Sequence, residues 1–162
     1  MLTQSRLKEL LHYDPETGIF RWIVYRSPKC QIGTIAGSYN PAGYHVIRID
    51  YKQYQASILA WLYMTGEWPP QDTEHKDVNP SNTKWNNIRL CTQTQNNLNR
   101  KIGKTNTTGA KGVTMTRDGK YGARLQIYNR KIFLGNYDTL EEAKQAYGNA
   151  IKWYGGEFAR TE

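Results

Sequence analysis

The sequence predicts an α+β protein made of two small parts, and three observations carry that reading. Short runs rich in β-branched and aromatic residues, separated by Pro and Gly turns, fill the first half. A polar stretch with only scattered apolar residues follows from Gln71. The C-terminal part then reads as three short strands and one amphipathic helix. With 38% hydrophobic residues over 162 positions, small cores are favoured over one large one.

Leu7, Leu10 and Leu11 recur at helical spacing near the start, and the polar HYDPETG segment (12–18) stops that helix. Strands are expected at 19–25, 33–37, 44–50 and 54–57, in small antiparallel sheets. ILAWLYMTG (58–66) reads as a buried helix closed by Gly66. From Gln71 to Arg100, Asn, Asp, Thr and His dominate, a composition that does not form a core of its own. Residues 97–109 lack apolar periodicity and are expected to be extended or loosely ordered. The chain thus divides into a module over 1–97, a basic linker over 98–108 and a second domain over 109–162. In that domain strands fall at about 112–116, 121–128 and 131–137. Thr139 and Glu142 form a capping box that starts the last helix. Ala143, Ala146, Tyr147, Ala150, Ile151 and Tyr154 make its apolar stripe, and Gly155 its left-handed stop.

No apolar run is long enough to span a membrane, and MLTQSRLKELL lacks the apolar stretch of a signal peptide, so a soluble, intracellular protein is expected. Cys30 and Cys91, with His12, His45 and His75, match no zinc-ligand spacing, and no structural zinc is expected. The net charge of +8 points to a polyanionic partner. Its distribution is uneven: residues 101–137 carry eight Lys and Arg against Asp118 alone.

Strand alternation in that basic segment points Val113, Met115, Ala123, Leu125, Ile127, Ile132 and Leu134 toward the helix. Thr114, Thr116, Arg124, Gln126, Tyr128, Lys131 and Phe133 fall on the other face, with Lys111, Arg117 and Lys120 at the edge and turn. A sheet backed by a helix and faced with such groups suits a DNA major groove better than the narrow groove of A-form RNA. KGV (111–113), GKYGARL (119–125), FLGNYDTLEEAKQAY (133–147) and GGEFA (155–159) resemble the APETALA/ethylene-response type DNA-binding domain, which also occurs attached to phage and mobile nucleases. The resemblance implies that Lys111, Thr114, Thr116, Arg124, Gln126, Lys131 and Phe133 contact DNA. Several of these are Arg, Glu or Trp in the plant domains, so the plant target sequence does not carry over. Lys101, Lys104, Arg117 and Lys120 join them as basic DNA-contact candidates.

DTEHKDVNPSNTKWNNIRLCTQTQNN (72–97) places a carboxylate–His pair ahead of a dense set of amides. Hydrolysis of DNA needs a base to deprotonate water, an acidic ligand holding a hard cation against the phosphate, and a polar group that orients the base. The segment resembles the HNH endonucleases of the ββα-metal group, in particular phage homing and prophage enzymes. The matching positions are Glu74-His75 at the end of one strand, the loop KDVNPSNTKWN (76–86), Asn87-Ile88-Arg89 on the next strand, and Asn96 on the following helix. LKELLHYDPETGIFRW (7–22) and LAWLYMTGEWP (59–69) resemble the N-terminal part of the same proteins. The resemblance implies His75 as general base, Glu74 and Asn96 as ligands of a single Mg²⁺ or Mn²⁺, Asn87 as the residue holding the imidazole or the loop, and Arg89 as a phosphate contact. Asn79 and Asn82 are expected to stabilise the loop through bonds to its backbone. The family's Asp is Glu74 here, a frequent loop glycine is Val78 where the turn calls for positive φ, and a His and an Arg are replaced by Ser57 and Ile58.

These readings imply a site-directed, homing-type DNA endonuclease, phage-encoded and acting in the bacterial cytoplasm as a monomer that nicks one strand of double-stranded DNA, with no membrane or small-molecule cofactor. The alternative is a DNA-binding protein or regulator that keeps the fold with a weakened catalytic site.

Overall fold

A computed structural model describes residues 1–103, 105–128 and 130–161. The chain is α+β and divides into two compact units, Met1–Cys91 and Thr92–Glu162. In the first, Thr3 caps helix α1 (Gln4–Leu10) by accepting from Arg6 N at 3.2 Å. β1 (Leu11–Asp14) and β2 (Ile19–Trp22) form an antiparallel hairpin. β3 (Ser38–Tyr39), β4 (His45–Ile49) and β5 (Lys52–Gln55) form a sheet in that order. Helix α2 (Ala56–Thr65) ends at Gly66, whose φ of 85° is the left-handed stop the sequence predicts. β6 (Asp72–His75) and β7 (Ile88–Cys91) close the unit as a second antiparallel pair. Leu7, Leu11, Phe20, Ile47, Ile49, Leu59 and Leu62 make its core. His45 is buried with them: its Nε2 donates to Ala36 O at 2.8 Å, and burial pushes its pKa down.

The second unit contains α3 (Gln93–Asn99), β8 (Val113–Met115), β9 (Tyr121–Ile127), β10 (Arg130–Tyr137) and α4 (Leu140–Gly155). The sheet order is β10-β9-β8, all antiparallel. The Thr139–Glu142 capping box is present. Ala143, Tyr147 and Ile151 of α4 are buried against Val113, Ala123, Leu125 and Ile127. Among the described residues no helix is long and apolar enough to cross a membrane.

The structure departs from the sequence expectations at several places. HYDPETG is not only a stop, since its first three residues lie in β1 and Tyr13 is fully covered. Residues 33–37 form no strand; Ile35 makes a lone bridge to Arg21 between Gly33 and Gly37, both at positive φ. The run 54–57 is split, because Ala56 and Ser57 already belong to α2. The boundary lies between Cys91 and Thr92, not after residue 97, and the expected linker begins inside α3. Leu98 is buried among Leu125, Ile127, Tyr147 and Ile151, and Ile88 and Cys91 are buried in the polar stretch. Each is one apolar residue seated in a core made elsewhere, which local periodicity does not reveal. Further along, Asn106 orders the chain by accepting from Gly109 N at 2.7 Å and donating to Ala110 O at 2.8 Å. Met115 is exposed: it pairs with Tyr121 at the end of a three-residue edge strand, where parity sets its face but nothing covers it.

Candidate active site

In the β6–β7 hairpin Glu74 lies opposite Arg89 and His75 opposite Ile88. Neighbours along a strand face opposite sides, yet Glu74 and His75 are both buried, so both faces of the hairpin end are covered. Arg89 Nε donates to Glu74 Oε1 at 2.5 Å, with both side chains largely out of solvent. The guanidinium expected on a phosphate is therefore directed at the carboxylate expected on a metal. Burial lowers the pKa of His75 below the usual imidazole value, and the charge of Asp77 opposes that shift only in part. The imidazole is thus neutral at pH 7, as a base must be. Its ring lies 6.2 Å from that of Tyr44.

The loop between these strands is organised by a residue the sequence reading did not single out, Asp77. Its carboxylate accepts from Asn82 Nδ2 at 2.6 Å, Asn87 Nδ2 at 2.9 Å and Asn79 N at 2.9 Å. These bonds hold its pKa below the ordinary carboxylate range against the opposing effect of burial. Asn87 completes the clamp, accepting from Asp77 N at 3.1 Å and donating to Asn82 O at 2.8 Å. Of the two roles the sequence left open for Asn87, these bonds are those of holding the loop. Asn79 accepts from Ser81 N and Oγ, and Asn82 bonds Asp77. Val78 sits at φ 58°, the conformation for which the turn calls for glycine.

A second support comes from the β1–β2 turn. Tyr13 Oη donates to Thr83 O at 2.6 Å, Thr83 Oγ1 donates to Gly18 O at 2.7 Å, and Trp85 N donates to Pro15 O at 3.0 Å. A Cβ on Gly18 would meet Lys84 N and Thr83 C at 2.5 Å, so only glycine lets the two loops approach. Ser57 and Thr73 share a 3.1 Å hydrogen bond between α2 and β6, and the Trp61 and Trp85 rings lie 5.4 Å apart. The signal in the sequence was a tyrosine inside an otherwise polar turn, followed by a glycine.

Asn96 lies on α3, one residue after the Thr92–Gln95 capping box. Among the described residues no group of three or more His, Cys, Asp and Glu could hold a metal. The Glu74 carboxylate is a donor of the kind a hard divalent cation uses when water and phosphate fill its remaining positions, and it fits Mg²⁺ or Mn²⁺ in kind; Asn96, the other ligand the resemblance implies, belongs to the second unit.

In the second unit Arg124, Gln126, Lys131 and Phe133 are exposed on one sheet face, with Phe133 opposite Arg124 and Lys131 opposite Gln126. The Arg124 guanidinium lies 5.9 Å from the Phe133 ring centre. Thr114, Lys101 and Arg117 are exposed as well. Three expected DNA contacts have other partners. Lys111 Nζ donates to Leu98 O at 2.6 Å and Arg160 O at 3.1 Å, and burial pushes its pKa down to about 8. Thr116 bonds the turn through Lys120, and Lys120 pairs with Asp138 at 2.8 Å. Lys104 lies outside the described residues.

Comparison with known proteins agrees with the hairpin-and-loop geometry. The HNH endonuclease family model matches residues 54–98, from β5 through α2 and the β6–β7 hairpin into α3. Protein 3.8 of Escherichia phage T7 is 32% identical over 120 residues, covering 70% of this chain and 98% of the phage protein. Hairpin, clamped loop, following helix and a phage relative aligned over nearly its whole length lead to one conclusion: the chain carries an HNH endonuclease domain over residues 54–98 and belongs with Protein 3.8 of phage T7.

Proposed function

We propose that the protein is a site-directed, homing-type DNA endonuclease that hydrolyses a phosphodiester and nicks one strand. The observation that carries this reading is the buried His75 beside the buried Glu74, at the end of a hairpin whose loop is held by Asp77 and Asn87. His75 takes the proton of an attacking water; Asn87 keeps the loop, and with it the end of β6, in place. Glu74 would hold one Mg²⁺ or Mn²⁺, which would neutralise charge developing at the scissile phosphate. The C-terminal sheet, an APETALA-type reader in this account, chooses the site through Arg124, Gln126, Lys131 and Phe133, with Lys101, Thr114 and Arg117 around them.

The Glu74–Arg89 ion pair favours a second reading, a DNA-binding protein of weakened activity, because a metal must compete with Arg89 for the carboxylate. Supercoiled plasmid incubated with Mg²⁺ or Mn²⁺, beside an EDTA control, separates the two. The nuclease reading expects metal-dependent open circles that DNA ligase reseals, since the ends would be 3′-hydroxyl and 5′-phosphate. Plasmid that is bound but stays supercoiled with either metal supports the second.

A further inference from the structure

Two open clefts of about 490 Å³ each lie within the second unit, and they share Asn97 and Gln126. One wall is α3. Gln93 and Asn97 lie one turn apart on it and Arg100 is its extended C-cap; all three are exposed, while the adjacent Leu98 and Asn99 are buried. The opposite wall is the sheet, with Arg124, Gln126 and Lys131. Three cations and several amides therefore line one trough, and among the described residues no carboxylate does. Lys111, beside it in sequence, already holds the Leu98 carbonyl, which fixes the end of α3 against the unit.

We infer that this trough seats the phosphate backbone of double-stranded DNA, so that α3 is part of the reading surface and Arg100 and Asn97 contact the strand whose bases face the sheet. Charge complementarity selects the occupant: a polyanion meets cations on both walls, with amide donors between them. This inference rests on the proposed reader and adds a helix face to it. Neither the charge pattern of the sheet nor its strand parity pointed to that face.

The test is fluorescence anisotropy of the full chain with a labelled duplex in EDTA, across a range of salt. Arg100→Gln is expected to weaken binding about tenfold at low salt and to reduce the salt slope by about one, as loss of one phosphate contact does. Arg100→Lys is expected to restore the slope, and Lys144→Gln, on the helix behind the sheet, to leave affinity as it was. Wild-type affinity and slope in Arg100→Gln would overturn the inference while leaving the reader intact. Failure of the wild-type chain to bind duplex in a salt-dependent way would instead overturn the reader reading. Displacement of the duplex by a mononucleotide at equal concentration would also overturn it, since the trough would then be a small-ligand site.

Discussion

Single residues in the Asn-rich loop show chemistry set against backbone preference. Val78 is β-branched at φ 58°, where a Cβ is strained by about 1–3 kcal/mol. Val78→Gly relieves that strain, less the extra freedom glycine gains in the unfolded chain. Denaturant unfolding is expected to show a net gain of about 1 kcal/mol. Lys111 has a different conflict, because its ammonium is partly desolvated and its pKa falls from 10.5 to about 8. Between those two values the unfolded chain binds the extra proton, so stability rises as pH increases from about 8 toward 10.5. Unfolding curves across that window are expected to show the rise in the wild type and a flatter profile in Lys111→Gln. The residues proposed for the sharpest roles were singled out from type and spacing. His75, Glu74 and Asn87 stood out because a carboxylate, an imidazole and an amide recur in one pattern. Asp77 did not, because an aspartate in a polar loop looks like any turn residue until its three donors are seen.

Among the elements, those with their own periodicity or caps were readable, and those held by distant partners were not. The last helix followed from its capping box and from Ala143, Tyr147 and Ile151 of its stripe, although Tyr154 is exposed and the positive φ falls on Gly156, not on Gly155 as expected; the faces of β9 and β10 followed from alternation. β1 was hidden because its polar sequence is covered by tertiary contacts: Tyr13 packs 4.5 Å from the Phe20 ring and bonds Thr83. α3 was expected as the helix that carries Asn96, but its last two residues were read as the start of a linker because Leu98 alone gives no stripe. The β1–β2 turn acts as a socket for the β6–β7 loop, and that makes a prediction at this scale. In Gly18→Ala the new methyl meets backbone atoms at 2.5 Å, and the turn must also hold a φ of 75°. A loss of about 3 kcal/mol or more is expected in thermal or denaturant unfolding, together with loss of any nuclease activity.

For the whole molecule, the division after Cys91 assigns α3 to the C-terminal unit, and this has a consequence for fragments. A fragment over 92–162 keeps Leu98 in its core and the carbonyl that Lys111 holds, and is expected to melt cooperatively by circular dichroism. A fragment over 109–162 lacks both and is expected to lose most of that transition; equal melting of the two would show that α3 is not integral to the unit. The excess charge of the chain, concentrated in 101–137, supports the proposed attraction to DNA, whereas the buried pair Glu74 and His75 carries the claim of cleavage. That claim is tested most directly by the single-turnover rate of plasmid nicking with Mn²⁺, wild type against His75→Ala. The account predicts metal-dependent nicking that falls by about 10²-fold or more in the variant, the scale of a lost general base. Equal rates in the two proteins, or no nicking by the wild type on any DNA it binds, would contradict it.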